Sequence, residues 1–157
     1  MLRIVPKHWF SWGFAVRDGD RHVADIDMAW WRERGVLAVE DRPYEVYREG
    51  VMSGAFILAS PEGILARAEK PSAFFRSFVV EHAGRAYTLQ ARSAFFRSFV
   101  LLDGPTEVGT LTPDGPFTRR ASADLPEDMP LPVRVFVLWL ALLLWKRQSD
   151  SSAAAGS

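Results

Sequence analysis

Five basic residues raise the question of chemistry in this chain: Lys70, Arg76, Arg97, Arg119 and Arg120. An arginine guanidinium presents a rigid fork of N–H donors that matches two oxygens of a phosphate, and a lysine supplies a compact point charge. Gathered on one rim of a sheet, these residues would make a seat for a phosphate or an anionic lipid headgroup. The plainer alternative is a solvated rim with ordinary surface ion pairs. Net charge speaks for the plainer alternative, because 19 basic and 19 acidic side chains sum to zero. Nothing in that balance demands nucleic acid or another polyanion as partner.

The other reactive residue types are scattered. His8, His22 and His82 stand apart, with no cysteine anywhere in the chain. Disulfides, thiolate metal sites and cysteine nucleophiles are excluded, and a metal site would need clustered ligands. Asp18, Asp20, Asp25 and Asp27 do not follow the spacing of a calcium loop. Asp25 and Asp27 alternate with Ile26 and Met28, which reads as the wet face of a strand. No G-x-S-x-G nucleophile elbow occurs. The expectation is a protein without catalytic residues, metal or cofactor. Trp9, Trp12, Trp30 and Trp31 would make a membrane-interface patch or a ligand pocket, or more simply pack the core and the seam of a barrel.

The elements that must position these residues are mostly strands. SAFFRSFV occurs at 72–79 and again at 93–100. Each copy leads into the first strand of a hairpin, and FVVEHAGRAYTL (78–89) aligns with FVLLDGPTEVGTL (99–111) after one insertion in the turn. Five hairpins follow one another, with turns at Asp18-Gly19-Asp20, Glu40 to Pro43, Pro61 to Gly63, Ala83-Gly84 and Asp103 to Pro105. Phe14, Leu37, Phe56, Phe78 and Phe99 recur at steps of 23, 19, 22 and 21 residues. Two strands per unit of that length is the pattern of an up-and-down meander, and closing it into a barrel of about twelve strands removes exposed edges. Residues 115–125 supply the remaining strands. Alternation puts Phe78 and Val80 on the core face with Phe99 and Leu101 as counterparts, and Phe74 shares their parity. Arg76 and Arg97 fall near the rim, where a guanidinium can reach water.

Residues 131–147 are expected to form a helix. Val135 to Trp145 contains no polar residue. A membrane span needs about 20 residues, so this run reads as a core helix in preference to a tail anchor. A barrel of about twelve strands is too wide for its own side chains to fill, and the helix is the available plug, with Trp139 and Trp145 in its core. Pro130 and Pro132 suit the helix entrance. Glu127 and Asp128 suit its positive end, and Lys146 and Arg147 its negative end. Residues 1–147 make one domain, and 148–157 read as a disordered low-complexity tail. The N-terminus lacks the apolar stretch of a signal peptide, so a cytoplasmic, membrane-peripheral protein is expected.

Two segments carry a resemblance: EKPSAFFRSFVVEHAGRAYTLQARSAFFRSFVLLDGPTEVGTL (69–111) and LPVRVFVLWLALLLW (131–145). With their Lys-Pro, Arg-x-Phe, Gly-x-x-Tyr-x-Leu and Val-Gly-x-Leu patterns, they resemble the central strands and central helix of the tubby C-terminal-like superfamily. That group includes tubby domains, phospholipid scramblases and LURP-one-related proteins. The resemblance implies an all-β barrel around a buried helix. In tubby domains it implies binding of phosphoinositide headgroups by basic residues on the barrel surface. That site has no residue-by-residue counterpart here. The function expected is a non-enzymatic binding or scaffold module whose partner is an anionic membrane lipid or a protein. The alternative is a tail-anchored protein with scramblase-like lipid handling. The sequence does not set the oligomeric state.

Overall fold

The computed structural model describes residues 1–8, 12–28, 34–50, 54–71, 76–93, 97–116 and 118–156. Its strands are β1 (Leu2–Pro6), β2 (Gly13–Asp18), β3 (Arg21–Met28), β4 (Gly35–Val39), β5 (Arg42–Arg48) and β6 (Phe56–Ser60). They continue with β7 (Gly63–Glu69), β8 (Ser77–His82), β9 (Arg85–Ala91), β10 (Phe99–Asp103), β11 (Thr106–Pro113) and β12 (Ala121–Asp124). One helix follows, α1 (Leu131–Ala155). Each strand pairs antiparallel with its sequence neighbours, and β1 lies between β2 and β12 to close the ring. The chain therefore forms the expected closed barrel of twelve strands with one C-terminal helix. Closure satisfies both edges of a sheet that would otherwise invite pairing with another chain.

The closing strand β1 is the one the sequence pattern does not single out. It is five residues long, with Leu2 and Ile4 buried and Arg3 exposed. Of the tryptophans expected at the seam, Trp9, Trp30 and Trp31 lie outside the described residues. Trp12 packs edge-on against Phe14 at 6.0 Å between ring centroids.

Alternation within the strands builds the core. Phe14, Leu37, Phe56, Phe78 and Phe99 are all buried, as are Val80 and Leu101. Phe74 lies outside the described residues. The one-residue insertion in the second repeat is absorbed by a register shift between Leu101 and Leu102 where β10 pairs with β11. The corresponding pair β8·β9 runs in unbroken register.

Connection lengths alternate. Turns of two residues join β2 to β3, β4 to β5, β6 to β7, β8 to β9 and β10 to β11. Connections of six or seven residues join β1 to β2, β3 to β4, β5 to β6, β7 to β8, β9 to β10 and β11 to β12. In an up-and-down barrel all turns of the first kind fall at one end and all of the second kind at the other. These are the turn end and the open end.

Helix α1 leaves β12 at the turn end and runs back through the lumen to the open end. Every residue from Val135 to Trp145 is buried. A helix apolar on all sides needs apolar walls on all sides, and the inward faces of the strands supply them. Trp139 lies at the centre, 5.2 Å from Phe56 and 6.5 Å from Phe136 between centroids. Gly35 makes room for it: a Cβ there would collide with the indole Nε1 of Trp139 and lie 3.2 Å from the Asp27 carbonyl oxygen. Pro130 is the N-cap residue, and Glu127 and Asp128 precede it. Among the described residues no helix is long and apolar enough to cross a membrane.

The segment expected as a disordered tail is helical as far as Ala155. Nucleation is the costly step in helix formation, and the packed part of α1 has already met it. Beyond Trp145 the helix is then extended by an alanine-rich sequence and local contacts. Lys146 Nζ pairs with Asp150 at 2.9 Å, and the hydroxyls of Ser151 and Ser152 donate to the Arg147 and Gln148 carbonyls.

Candidate functional site

Lys70, Arg76, Arg97, Arg119 and Arg120 all fall in connections at the open end, between β7 and β8, β9 and β10, and β11 and β12. Their environments differ sharply. Arg97 is a structural clamp. Its Nη2 donates to the carbonyls of Gly115 and Pro116 at 2.9 and 3.1 Å, its guanidinium lies 5.2 Å from the centre of the Trp145 ring, and its own carbonyl accepts the Trp145 Nε1–H at 2.9 Å. It ties the connection 92–98 to the connection 114–120 and to the end of the buried part of α1. Arg119 ties 114–120 to the first connection, donating through Nη2 to the His8 carbonyl at 2.8 Å and lying over the Trp12 and Phe14 rings.

Arg76 occupies the same place in the first repeat copy and makes none of these bonds. Its guanidinium lies over Phe99, 5.5 Å from the ring centre. Its Nη1 and Nη2 are both buried and have no hydrogen-bond partner among the described residues. Burial pushes both Arg76 and Arg97 down from the usual guanidinium pKa. Lys70 is half-buried at the end of β7, and Arg120 is exposed. The five residues thus share a rim without converging on one point.

Sequence reasoning passed over two further members of this rim. Arg48, at the end of β5, lies over Phe56 at 5.6 Å. Arg34 precedes β4 and is exposed. Both flank a long connection, and the strand pairing of the closed barrel is what puts all the long connections at one end.

Charge is sorted between the two ends. The described residues of the six long connections carry eight basic and two acidic side chains, a net of +6. The five short turns and the segment 125–130 carry six carboxylates and no basic side chain, a net of −6. Strand-end arginines answer part of the negative charge, since Arg21 pairs with Glu40 and Arg85 with Asp103 and Asp128. At the open end, Lys7 pairs with Asp25 and Arg92 with Glu107. Arg34, Arg76, Arg97 and Arg120 have no ion pair among the described residues.

The remaining candidates do not build a reactive site. His82 shares a 2.7 Å hydrogen bond with the Leu65 carbonyl, and His22 lies 3.1 Å from Asp25. Among the described residues no three His, Asp or Glu side chains come together as metal ligands. A cavity of about 350 Å³ on the outer wall is lined by Asp27, Glu45 and Arg34 together with apolar residues. Its two carboxylates oppose an anionic ligand.

No family model, curated protein or solved structure matches the chain.

Proposed function

We propose that the chain is a non-catalytic binding module of tubby-like plan that docks its open end on an anionic phospholipid surface. The observation that carries this reading is the separation of charge: a neutral molecule with a net of +6 in one set of connections. Each basic side chain near an anionic membrane is worth about 1 kcal/mol, so a collar of this charge suffices for peripheral binding without an inserted helix. Composition supports the same end. By sequence, the six long connections hold 10 of the 20 aromatic residues, and the two-residue turns hold none. Tryptophan and other aromatics favour the membrane–water interface. Nine of those ten lie outside the described residues, so they enter as composition alone.

The test is co-sedimentation with vesicles of phosphatidylcholine, with and without phosphatidylserine. Binding should require the anionic lipid and weaken with salt. Arg34→Glu with Arg120→Glu should reduce it by about a thousandfold, because two charges change sign, a net change of four units at the docking face. Arg120 is a cleaner choice than Arg119, whose guanidinium holds the His8 carbonyl. Equal sedimentation with both vesicle types would overturn the reading.

A further inference from the structure

The cavity on the outer wall collects charges that the fold does not pair. Register places them. Asp27 on β3 lies opposite Val36 on β4, and Val36 lies opposite Glu45 on β5. All three are exposed on the outward face. The two carboxylates therefore flank Val36 at one strand spacing each, about 10 Å apart at the backbone. Tyr47 follows Glu45 two residues along the same face of β5, and the exposed Arg34 precedes β4. Val36 is 54% exposed, one of the few large apolar side chains turned to solvent among the described residues. Together with Met28 these residues line about 350 Å³, a volume in the range of small-molecule sites. Among the described residues Asp27, Arg34 and Glu45 form no ion pair, although all three share the cavity. Asp25, two residues earlier on the same face of β3, is by contrast held by both Lys7 and His22.

Two carboxylates against one guanidinium leave the described lining with a net charge of −1. By sequence the connection 29–33 adds Arg32 and Glu33, which cancel. A ligand that covers these groups takes them out of water, and a charge without a counterpart is costly there. The occupant that balances the site carries one positive charge and an apolar body. We infer that the cavity is a seat for a small organic monocation, a primary ammonium on an aromatic or aliphatic body. An ammonium has three donors and can serve both Asp27 and Glu45, while the body lies on Val36 and Tyr47. The dimensions select a free small molecule over a protein surface, since a stable protein interface buries about 800 Å² on each side. The inference concerns the outer wall and does not depend on the reading of the open end.

Amide proton–nitrogen spectra of the full chain test the seat with three probes of one shape at matched ionic strength: phenethylamine, phenethyl alcohol and hydrocinnamate. Phenethylamine should move the amides of Val36, Glu45 and Tyr47 saturably. It should bind about tenfold more tightly than the alcohol, the size of one charge-assisted hydrogen bond. Hydrocinnamate, an anion, should leave those amides in place. Asp27→Asn with Glu45→Gln should erase the preference for the amine. Arg34→Gln should act in the opposite direction and tighten the amine about threefold, because it removes the one like charge. All three side chains are exposed, so each variant should melt like the wild type. Equal binding of amine and alcohol would reduce the cavity to an apolar dent and overturn the inference. So would amine shifts confined to other parts of the barrel, or a preference that survives the double substitution. No vesicle enters the experiment, so its failure leaves the membrane reading standing, and failure of that reading leaves the seat.

Discussion

A methyl group on Gly35 would meet the indole Nε1 of Trp139, a side chain with no solvent exposure and no hydrogen-bond partner for that nitrogen among the described residues. Gly35→Ala should therefore cost about 2 kcal/mol, in the range of overpacked cores. Adding Trp139→Phe, which removes the colliding edge and the orphan N–H together, should recover part of the loss; urea unfolding of both variants measures the coupling. Asp25 gives a residue-scale prediction in pH. Burial alone would raise its pKa, but hydrogen bonds from Lys7 and His22 outweigh that and hold the carboxyl below its usual value. A depressed carboxylate stabilises the fold above its unfolded pKa of about 3.9 and loses that contribution as pH falls through the folded value. The pair is partly exposed, so Asp25→Asn should cost no more than about 1 kcal/mol at neutral pH. That difference should shrink as the solution is acidified below about pH 4, which thermal melts across pH would show.

Among the elements, α1 divides into a buried part that ends at Trp145 and an outer part that continues to Ala155. Deleting 131–157 empties the lumen and should unfold the barrel, since twelve strands cannot fill their own interior. Deleting 148–157 removes a segment whose described residues are all exposed or half-buried, and should leave the Tm within about 2 °C of wild type, as for most surface changes. Circular dichroism of both truncations separates these outcomes. The buried part was legible because Val135 to Trp145 is uninterrupted, and the hairpins because glycine and proline punctuate alternating runs. Strand β1 was not legible: five residues containing one arginine and one proline carry too little pattern, and their partners β2 and β12 are set by closure. The outer half of α1 was misjudged because its composition is that of a linker, whereas the helix already formed beside it removes the nucleation cost.

For the whole molecule, docking by one end and attraction by net charge make opposite predictions. Glu62→Lys raises the net charge by two units at the turn end, replacing an anion by a cation in the two-residue turn between β6 and β7. If net charge governed binding, that change would strengthen sedimentation with phosphatidylserine vesicles. End-on docking predicts no change within about twofold. The barrel is about 20 Å long for strands of four to eight residues, and the Debye length is about 8 Å in physiological salt.

The sequence by itself determined the meander, its count of hairpins, the helix that fills it and the residue types on the rim. Each is a local property: a period of two, a turn residue, an apolar run. Two things were decided only by tertiary structure. A net charge of zero is a sum and carries no direction, whereas a basic end and an acidic end depend on which way each strand runs. Identical octapeptides cannot differ in themselves, yet Arg97 donates to Gly115 and Pro116 across the rim while the Arg76 guanidinium has no hydrogen-bond acceptor among the described residues. Their partners come from distant parts of the chain, and only closure of the barrel brings those parts together.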